Sequence, residues 1–415
     1  MQVDFASVDF GQEEIEAVNK VMAGTSLASG RENELFEKEF SAYVGTKFSV
    51  CVNSGSSANL LALASLQLSR NAKVLTSACG FPATLSPILH LGLEPYLVDY
   101  ELETHNIDVK QVIKNLHKVS AVILAHTMGS PADIVMIKTY ADMLGVPIIE
   151  DCCEALGSSV SGRMVGSFGR LGTFSFYPAH QMTALGGGGM VVTDDEGLYR
   201  RMKSLRDWGK MYDWDSSLGG NDADYTSSIG YHRGYTYETI GWNFKLPEAN
   251  AAFGRVQLGR LEKFVAMRKY RYEYLRAALS DIGEFLPIRE IPAAHPSWFG
   301  YIMTLRDGSA IKRNEFSNYL TAKGIKNRPF FAGNILSQPA FSKKLPFSEF
   351  PVADKLMKDT VFIGCHTKLT GEQMDYVIKT IREYVDANSG DSKLQRDGQF
   401  EGVHSISSST IEKAG

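Results

Sequence analysis

The run NSGSSAN at residues 53–59 places small polar side chains where a strand pattern gives way to a helix pattern. The first turn of a helix carries unpaired N–H groups, and the helix dipole adds positive potential there, so this position suits a phosphate group. Gly55, Ser56 and Ser57 are therefore candidate phosphate ligands. The same serines also suit plain capping of the helix, and the run alone does not separate the two interpretations.

Two titratable side chains stand at the ends of other strand patterns. Asp151 follows the apolar run 146–150, where a carboxylate can pair with a protonated ring nitrogen of a ligand or simply cap the next segment. His180 closes the run FSFYPAH at 174–180, ahead of four glycines at 186–189. Imidazole titrates near neutral pH, so His180 is a candidate acid or base. Four successive glycines let the backbone approach another group closely.

The elements that must position these residues alternate between strand and helix over the first 200 residues. This alternation is typical of a mostly parallel sheet with helices on both faces. Ligands of such sheets bind beyond the carboxyl ends of the strands, so we expect residues 53–55, Asp151 and residues 175–177 to meet there. The predicted strands are 48–53, 73–76, 94–98, 121–125, 147–150, 173–176 and 190–193, and the first predicted helices are 34–44 and 55–69.

The later part of the chain changes character. Residues 214–235 are rich in Gly, Ser and Asp and are predicted to form a long loop, and a helix is predicted at 246–279. We expect a large cofactor-binding domain at 1–255 and a smaller α+β C-terminal domain at 256–387. Residues 388–415 are polar and Ser-rich and are predicted to be a disordered tail.

Composition excludes several classes of protein. The chain has 415 residues, with 43 Lys and Arg against 47 Asp and Glu, which argues against nucleic-acid binding through a basic field. The most apolar short run, 119–125, is far below the roughly 20 residues of a membrane helix. Five cysteines are too few for a disulfide scaffold, so a reducing cytoplasm is the simplest location.

Together these stretches resemble the DegT/DnrJ/EryC1/StrS family of fold-type I pyridoxal-phosphate (PLP) enzymes that act on sugars, from about residue 10 to about residue 387. Family members carry a catalytic lysine, which forms the internal aldimine, where this chain has His180. That replacement resembles the sugar-nucleotide 3-dehydrase branch. Further motifs are similar to the CDP-sugar 3-dehydrases of that branch, namely GFPAT at 80–84, AHTMGSP at 125–131, RDWG at 206–209, SWFG at 297–300, and GN at 333–334 with QP at 338–339.

The resemblance implies roles for individual residues. Phe81 would stack on the pyridine ring, Asp151 would pair with its nitrogen, and Asn243 would reach the phosphate in the neighbouring subunit, which implies a homodimer with shared active sites. The other implied cofactor ligands are Gly55, Ser56, Ser57, Glu154 and Ser175. Candidate substrate contacts are Tyr177, Arg328, Phe331 and Asn334; His232, Tyr235 and Lys245 are weaker candidates that are equally well interpreted as solvated loop residues.

A missing lysine also implies a particular chemistry. The resting reagent would be pyridoxamine phosphate (PMP), whose amine condenses with a 4-keto sugar. His180 would remove a proton from the cofactor's C4′ carbon, and the hydroxyl at sugar C3 would leave. The expected reaction is therefore 3-dehydration of a nucleotide-linked 4-keto-6-deoxyhexose, with glutamate restoring the amine, and CDP slightly favoured over GDP as the nucleotide.

The chain departs from the CDP-sugar branch at its iron–sulfur ligands. That branch binds a cluster through four cysteines, and its Cys-x-Cys pair would fall at 211–214, which contains no cysteine. We therefore expect neither a cluster nor another metal. Gln181 and Gly186 also differ from the branch and leave the details of the substrate open. The alternatives are an aminotransferase-like enzyme of the same family and a catalytically silent paralogue that binds nucleotide sugars.

Overall fold

The structure is a computed structural model that describes residues 1–212 and 229–389. In chain order the strands are β1 (Phe48–Val52), β2 (Lys73–Ser77), β3 (Glu94–Val98), β4 (Tyr100–Glu101), β5 (Asn106–Ile107), β6 (Ala121–Ala125), β7 (Ile148–Asp151), β8 (Ser159–Val160), β9 (Arg163–Met164), β10 (Leu171–Ser175), β11 (Gly189–Thr193), β12 (Ala294–His295), β13 (Gly300–Thr304), β14 (Asn327–Pro329) and β15 (Thr360–Gly364).

The helices in the described residues are α1 (Gln12–Met22), α2 (Arg31–Val44), α3 (Gly55–Ser65), α4 (Pro82–His90), α5 (Val109–Asn115), α6 (Ile134–Leu144), α7 (Glu196–Arg206), α8 (Glu248–Gly259), α9 (Leu261–Leu279), α10 (Arg313–Ala322), α11 (Pro339–Ser342), α12 (Pro351–Asp359) and α13 (Gly371–Asn388). In these parts of the chain, no helix is both long enough and apolar enough to span a bilayer.

Seven strands form the central sheet in the order β1-β11-β10-β7-β6-β2-β3. The pairs β10/β7, β7/β6, β6/β2 and β2/β3 are parallel, and β11 runs antiparallel to both of its neighbours. The expected α/β fold with a mostly parallel sheet is therefore confirmed. Both faces of the sheet are covered, which is why its strands are short apolar runs.

Successive side chains of the central strands point to opposite faces of the sheet and so contribute to two separate parts of the apolar core. Val122 and Leu124 of β6 pack in the cluster that contains Phe36 and Phe40 of α2. Ile123 of the same strand packs in the cluster formed with α3 and α7. Successive side chains of a strand point to opposite faces, so one short strand contributes to both layers.

The C-terminal part contains a second, antiparallel sheet with the order β13-β15-β14. Helices α9, α10 and α13 pack against this sheet, and together they form a separate apolar cluster. The N-terminal segment joins this cluster, because Val3 pairs with Ile325 and is buried there. Residues at the start of the chain thus pack with the smaller region, although we placed them in a domain at 1–255.

Two predicted boundaries differ from the structure. The helix predicted at 246–279 is two helices, α8 and α9, separated at Arg260, and the division at 255/256 lies inside α8. Helix α13 continues through Asn388, where we predicted the tail to begin. The rest of that tail, from residue 390, lies outside the described residues, and so do residues 214–228 of the predicted loop.

Candidate active site

A cavity of about 520 Å³ opens at the carboxyl ends of the parallel strands. Its wall takes residues from the segments that follow β1, β2, β6, β7 and β10, as we expected from the sheet topology. The lining includes Ser54, Gly55, Ser56, Asn59, Phe81, Thr84, Asp151, Cys153, Glu154, Ser175, Tyr177, His180, Phe299, Arg328 and Phe331. No lysine lines this cavity in the described part of the chain.

Helix α3 begins at the cavity. Ser54 caps it, since its Oγ accepts the N–H of Ser57 at 3.1 Å and lies 3.0 Å from the hydroxyl of Ser57. Gly55 and Ser56 line the cavity, but Ser57 does not. Capping therefore accounts for Ser57, which is bound to Ser54. Gly55 and Ser56, at the start of α3, face the cavity and remain candidate phosphate ligands.

Gly55 has no room for a side chain. A Cβ at this position would lie 2.6 Å from Cβ of Ser175 and 2.9 Å from Sγ of Cys153. At the end of the glycine run 186–189, the backbone packs directly against the backbone of Ser54. A Cβ on Gly189 would lie 2.5 Å from the backbone oxygen of Ser54. These glycines bring chain segments together around the start of α3.

Asp151 is the last residue of β7, and its carboxylate is held by three donors. Oδ2 accepts Asn59 Nδ2 and Thr84 Oγ1, both at 2.7 Å, and Oδ1 accepts the N–H of Cys153 at 3.1 Å. We had assigned no role to Asn59 and Thr84. The sequence could have pointed to Asn59, because it lies one helical turn after Gly55 on α3 and the two residues therefore share one face of the helix.

Phe81 caps the start of α4 and lines the cavity with 57% of its surface exposed. Its ring meets Phe331 edge to face at 6.5 Å between centroids. A large apolar ring left this exposed beside a cavity is suited to stack on a planar ligand.

His180 lies on the turn after β10 and lines the cavity. Its ring is 5.3 Å from that of Phe299, and its backbone oxygen accepts Arg268 Nη2 at 2.7 Å. Burial and the nearby Arg268 charge lower the pKa of His180 to about 3. The imidazole is therefore neutral near pH 7, which is the form required of a base.

Glu154 is a second cavity-lining residue whose pKa is shifted. Its Oε2 accepts the N–H of Met128 at 2.8 Å. Burial, and to a lesser degree the neighbouring Asp151 carboxylate, raise the pKa of Glu154 to about 8. Near neutral pH this carboxyl is mostly protonated and can donate a hydrogen bond to a ligand oxygen.

Three of the four predicted substrate contacts line the cavity, namely Tyr177, Arg328 and Phe331. Asn334 does not. It is buried, donates to Asp354 Oδ1 at 2.7 Å and accepts the N–H of Leu336 at 3.0 Å, so it caps a short 3-10 turn.

Other predicted contacts lie away from this cavity. Asn243 is exposed and forms a backbone bridge with Asp207. Lys245 Nζ pairs with Asp207 Oδ1 at 2.5 Å and lies 3.8 Å from the ring of Trp208. His232 and Tyr235 are exposed and also lie outside the lining.

The five cysteines are all free and lie in different surroundings. Cys153 lines the cavity, Cys51 contacts Glu37 and Asn33, and Cys365 contacts the backbone oxygen of Trp298. Within the described ranges, the one cluster with metal-ligand atoms close together is His126, Glu150 and Cys152. Its Glu150 carboxylate already accepts His126 Nε2 and the N–H groups of Gly166 and Gly169.

A mostly parallel seven-stranded sheet with a cavity at its carboxyl ends, followed by a smaller α+β region, is the architecture of the fold-type I aminotransferases. The chain belongs to the DegT/DnrJ/EryC1/StrS aminotransferase family, whose sequence model matches residues 8–382. The family that we recognised from the motifs is therefore confirmed.

Individual relatives cover nearly the whole chain. Lipopolysaccharide biosynthesis protein RfbH of Salmonella typhimurium is 37% identical over 91% of this chain and 90% of its own length. The dTDP-4-dehydro-2,6-dideoxy-D-glucose 3-dehydratase of Saccharopolyspora spinosa is 36% identical, over 88% and 82% respectively. A solved GDP-4-keto-6-deoxymannose-3-dehydratase with a trapped PLP-glutamate geminal diamine has a TM-score of 0.85 at 25% identity, covering 92% of this chain and 100% of that one.

The cavity suits the pyridoxal-type cofactor that this family binds. The tight packing at Gly55 brings Ser175 against the start of α3, and Gly55, Ser56 and Ser175 all line the cavity, where the free N–H groups of the first helical turn suit a phosphate. Asp151 presents a fixed carboxylate for a ring nitrogen, and Phe81 presents an exposed aromatic face. His180 offers a lone pair but no amine for a covalent bond.

Proposed function

We propose that this chain is a PLP/PMP-dependent lyase that removes the C3 hydroxyl of a nucleotide-linked 4-keto-6-deoxyhexose. The observation that carries the proposal is His180 in a cavity that no lysine lines within the described residues. A family site without a lysine cannot store its cofactor as a covalent adduct, so it suits a reagent held by non-covalent contacts alone.

Gly55, Ser56 and Ser175 would hold the cofactor phosphate, with Ser57 supporting the same turn through the Ser54 cap. Asp151 would pair with the ring nitrogen and keep it protonated, and Phe81 would cover one face of the ring. The protonated Glu154 carboxyl would donate to the ring's oxygen substituent. When bound, the cofactor supplies an amine that condenses with a keto group and a ring that accepts electrons.

His180 would act as the base. Its neutral imidazole would take a proton from the cofactor's C4′ carbon and would return it to the departing C3 hydroxyl, which would leave as water. General base catalysis is worth about 10²–10⁴-fold in rate. Tyr177, Arg328 and Phe331 line the same cavity and would orient the sugar nucleotide.

Glutamate would restore the amine form of the cofactor, giving 2-oxoglutarate, and ammonia would leave the sugar. This route needs no iron–sulfur cluster. The separate surroundings of Cys51, Cys153 and Cys365 support that choice, because a cluster normally needs four converging thiolates. The free thiols also suit a reducing cytoplasm.

A homodimer with shared sites completes the proposal. Asn243 is exposed and outside its own chain's cavity lining, as a residue that serves a neighbouring cavity must be. An apolar groove of about 300 Å³, lined by Phe10, Ile15, Leu185 and Phe253, offers a surface for the second copy.

The test is a product assay. The protein is incubated with PLP, glutamate and the CDP-, GDP- or dTDP-linked 4-keto-6-deoxyhexose, without a reductase. We expect one arm to yield a sugar nucleotide that has lost one oxygen atom, with one 2-oxoglutarate and one ammonia per turnover. A 4-amino sugar that keeps its C3 oxygen would instead show an aminotransferase, and no product in any arm despite a bound cofactor would favour a silent paralogue.

A further inference from the structure

Two carboxyl side chains, Asp151 and Glu154, line the active-site cavity in the described part of the chain, and their surroundings differ. Oδ2 of Asp151 accepts Asn59 Nδ2 and Thr84 Oγ1, both at 2.7 Å. Its Oδ1 accepts the N–H of Cys153 at 3.1 Å. The carboxyl of Glu154 accepts a single backbone N–H. Donors favour the ionised form of a carboxyl and burial favours the neutral form, so these surroundings separate the charges of the two residues.

The side-chain amide of Asn59 can only donate to Asp151. Its Nδ2 also lies 3.1 Å from the backbone oxygen of Ala83, which accepts hydrogen bonds and cannot donate them. Its Oδ1 accepts the hydroxyl of Thr173 at 2.5 Å. Turning the amide over would place oxygen against oxygen at both Ala83 and Asp151. The orientation of Asn59 is therefore fixed, and Thr173 supports it from β10, outside the cavity lining.

The Asp151 carboxylate and its two side-chain donors are all buried. They come from three different elements, since Asp151 ends β7, Asn59 lies on α3 and Thr84 lies on α4. A buried charged group that loses a hydrogen-bond partner keeps the cost of its desolvation. Such a carboxylate takes up a proton more readily. The charge of Asp151 therefore depends on Asn59 and Thr84.

The titratable neighbours of Asp151 on the same segment are neutral near pH 7. Burial and the Asp151 carboxylate raise the pKa of the Cys153 thiol far above its usual range. The same two causes raise the pKa of Glu154 to about 8. A thiol is only a weak donor, so Cys153 does not compete with a ligand N–H for the carboxylate.

We propose that Asn59 and Thr84 are positioning residues that keep Asp151 ionised and determine which of its oxygens pairs with the cofactor's ring nitrogen. An ionised carboxylate offers about four acceptor positions. The three donors fill both positions on Oδ2 and one on Oδ1, so the remaining position is on Oδ1. Without Asn59 and Thr84 the buried carboxyl would take up a proton, and the ring nitrogen would lose its ionic partner. The inference rests on the cofactor assignment in the proposed function, but not on the reaction that the loaded protein carries out.

The direct test is ¹⁵N NMR of PMP that is labelled at its ring nitrogen and bound to the protein at pH 7.5. The ¹⁵N shift separates a protonated ring nitrogen from an unprotonated one. We expect a protonated nitrogen in the wild type. In Asn59→Leu and Thr84→Val, which keep the approximate size of each side chain, the signal should move toward the unprotonated form. Folded, PMP-loaded variants with the wild-type signal overturn the proposal.

This experiment involves no turnover, so its failure is distinct from failure of the proposed function. A wild-type protein that binds PMP with a protonated ring nitrogen but does not dehydrate sugar nucleotides would contradict the proposed function alone. A wild-type protein that binds PMP with an unprotonated ring nitrogen would overturn the role of Asn59 and Thr84 alone. A protein that binds no PMP would overturn both.

Kinetics give a second readout. Each variant loses one hydrogen bond to a charged group, so we expect kcat to fall about 10–100-fold. The KM for the sugar nucleotide should change little, because the loss acts through the ring nitrogen. A raised KM with an unchanged kcat would instead assign Asn59 and Thr84 to substrate binding and contradict the proposal.

Thr193→Val is the matched control. Thr193 is buried at the end of β11, outside the cavity lining, and its hydroxyl donates to the backbone oxygen of Arg170 at 2.8 Å. Its loss should lower Tm and leave the ring-nitrogen signal unchanged. A signal that moves as far as in Thr84→Val would show general destabilisation and overturn the proposal.

Thr173→Val keeps the inference testable if Asn59→Leu does not fold. This substitution removes only the hydroxyl that supports the Asn59 amide. We expect the ring-nitrogen signal to move in the same direction as in Thr84→Val, by a smaller amount. An unchanged signal in both threonine variants would overturn the proposal.

Discussion

The lone pair of His180 is the chemical feature on which the account depends at the residue scale. A lysine at this position would join the cofactor covalently, whereas an imidazole can only exchange a proton with it. Burial and Arg268 keep that imidazole neutral well below pH 7. At pH 7 the ring therefore has an unprotonated nitrogen that is free to accept a proton.

Replacement of His180 by Asn should lower kcat about 10²–10⁴-fold, because it removes the base but keeps a polar side chain of similar reach. Cofactor affinity, measured by absorbance titration, should change little. His117→Asn is the matched control, since His117 is exposed, lies outside the cavity lining and has been assigned no role in binding. Near-wild-type activity in His180→Asn would place the base elsewhere.

The raised pKa of Glu154 predicts that the cofactor-free protein loses stability as the solution becomes alkaline. Its folded-state pKa of about 8 lies above the ordinary value of 4.5. The stability linked to this carboxyl is therefore complete below about pH 4.5 and is lost as the pH rises through about 8. In Glu154→Gln, the fall of Tm between pH 6 and pH 9 should be smaller than in wild type.

The control for that measurement is Glu13→Gln, which changes an exposed carboxyl on α1. Its Tm profile should follow that of the wild type. A Glu154→Gln profile parallel to the wild type would show that this carboxyl is already ionised at neutral pH in the folded protein.

Sequence motifs located most of the candidate site, but not every contact. Phe81, Glu154 and His180, which the sequence singled out, line one cavity. Asn334 does not, because its side chain caps a turn, and Thr84 was missed because its hydroxyl reaches Asp151 across 67 residues. Contacts of that kind depend on the packing of distant segments, which local patterns do not encode.

At the element scale, the start of α3 is the most constrained part of the site. Gly55→Ala would place a methyl group 2.6 Å from Ser175 Cβ, and overpacking of this kind costs about 1–3 kcal/mol. We expect a Tm lower by several degrees and at least tenfold weaker PLP binding, measured by thermal melts with and without cofactor.

Gly259→Ala is the control for that prediction. Gly259 is exposed at the end of α8 and has open space around its would-be Cβ. Alanine is the better helix former, so Tm should stay or rise slightly. Equal effects of the two substitutions on Tm and on PLP binding would mean that the tight packing at Gly55 has no special role.

Elements were easier to predict than their ends. The strand at 121–125 matches β6, and the strand predicted at 173–176 lies within two residues of β10. The single helix predicted at 246–279 breaks at Arg260, whose guanidinium pairs with Asp9 and Glu14. The apolar pattern continues through this point because both helices bury one face, and Gly259, which ends α8, is the one local sign of the break.

At the scale of the whole molecule, the N-terminal segment connects the smaller region to the cavity. Val3 pairs with Ile325, and Phe5 packs on Phe299 and Phe362 at the cavity wall. This pairing spans over 300 positions in the chain. Local propensity cannot reveal such a contact, which is why a simple division at 255/256 misplaced the first residues.

Three buried neutral histidines predict sensitivity to acid. Burial lowers the pKa of His105 and His366 to about 4 and contributes, with Arg268, to about 3 for His180. The unfolded chain binds these protons near pH 6.5, so stability is full above that pH and falls as the pH drops toward 4. Each pKa unit corresponds to about 1.4 kcal/mol.

Thermal melts from pH 7.5 to pH 4.5 check this prediction. His105→Gln should start from a lower Tm at pH 7.5 but lose less of it on acidification, because one buried proton acceptor is gone. His117→Gln, at an exposed position, should follow the wild type. A His105→Gln curve parallel to the wild type would contradict the assignment of a neutral, buried His105.

The most direct test of the central claim is borohydride reduction followed by peptide mass spectrometry of the PLP-loaded wild type and His180→Lys. The account predicts no covalent cofactor on the wild-type protein, and a reduced pyridoxyl group on the peptide that contains position 180 in the variant. A pyridoxyl group on any lysine of the wild type, or none on the variant although PLP is bound, would contradict the claim that position 180 faces the cofactor's reactive carbon.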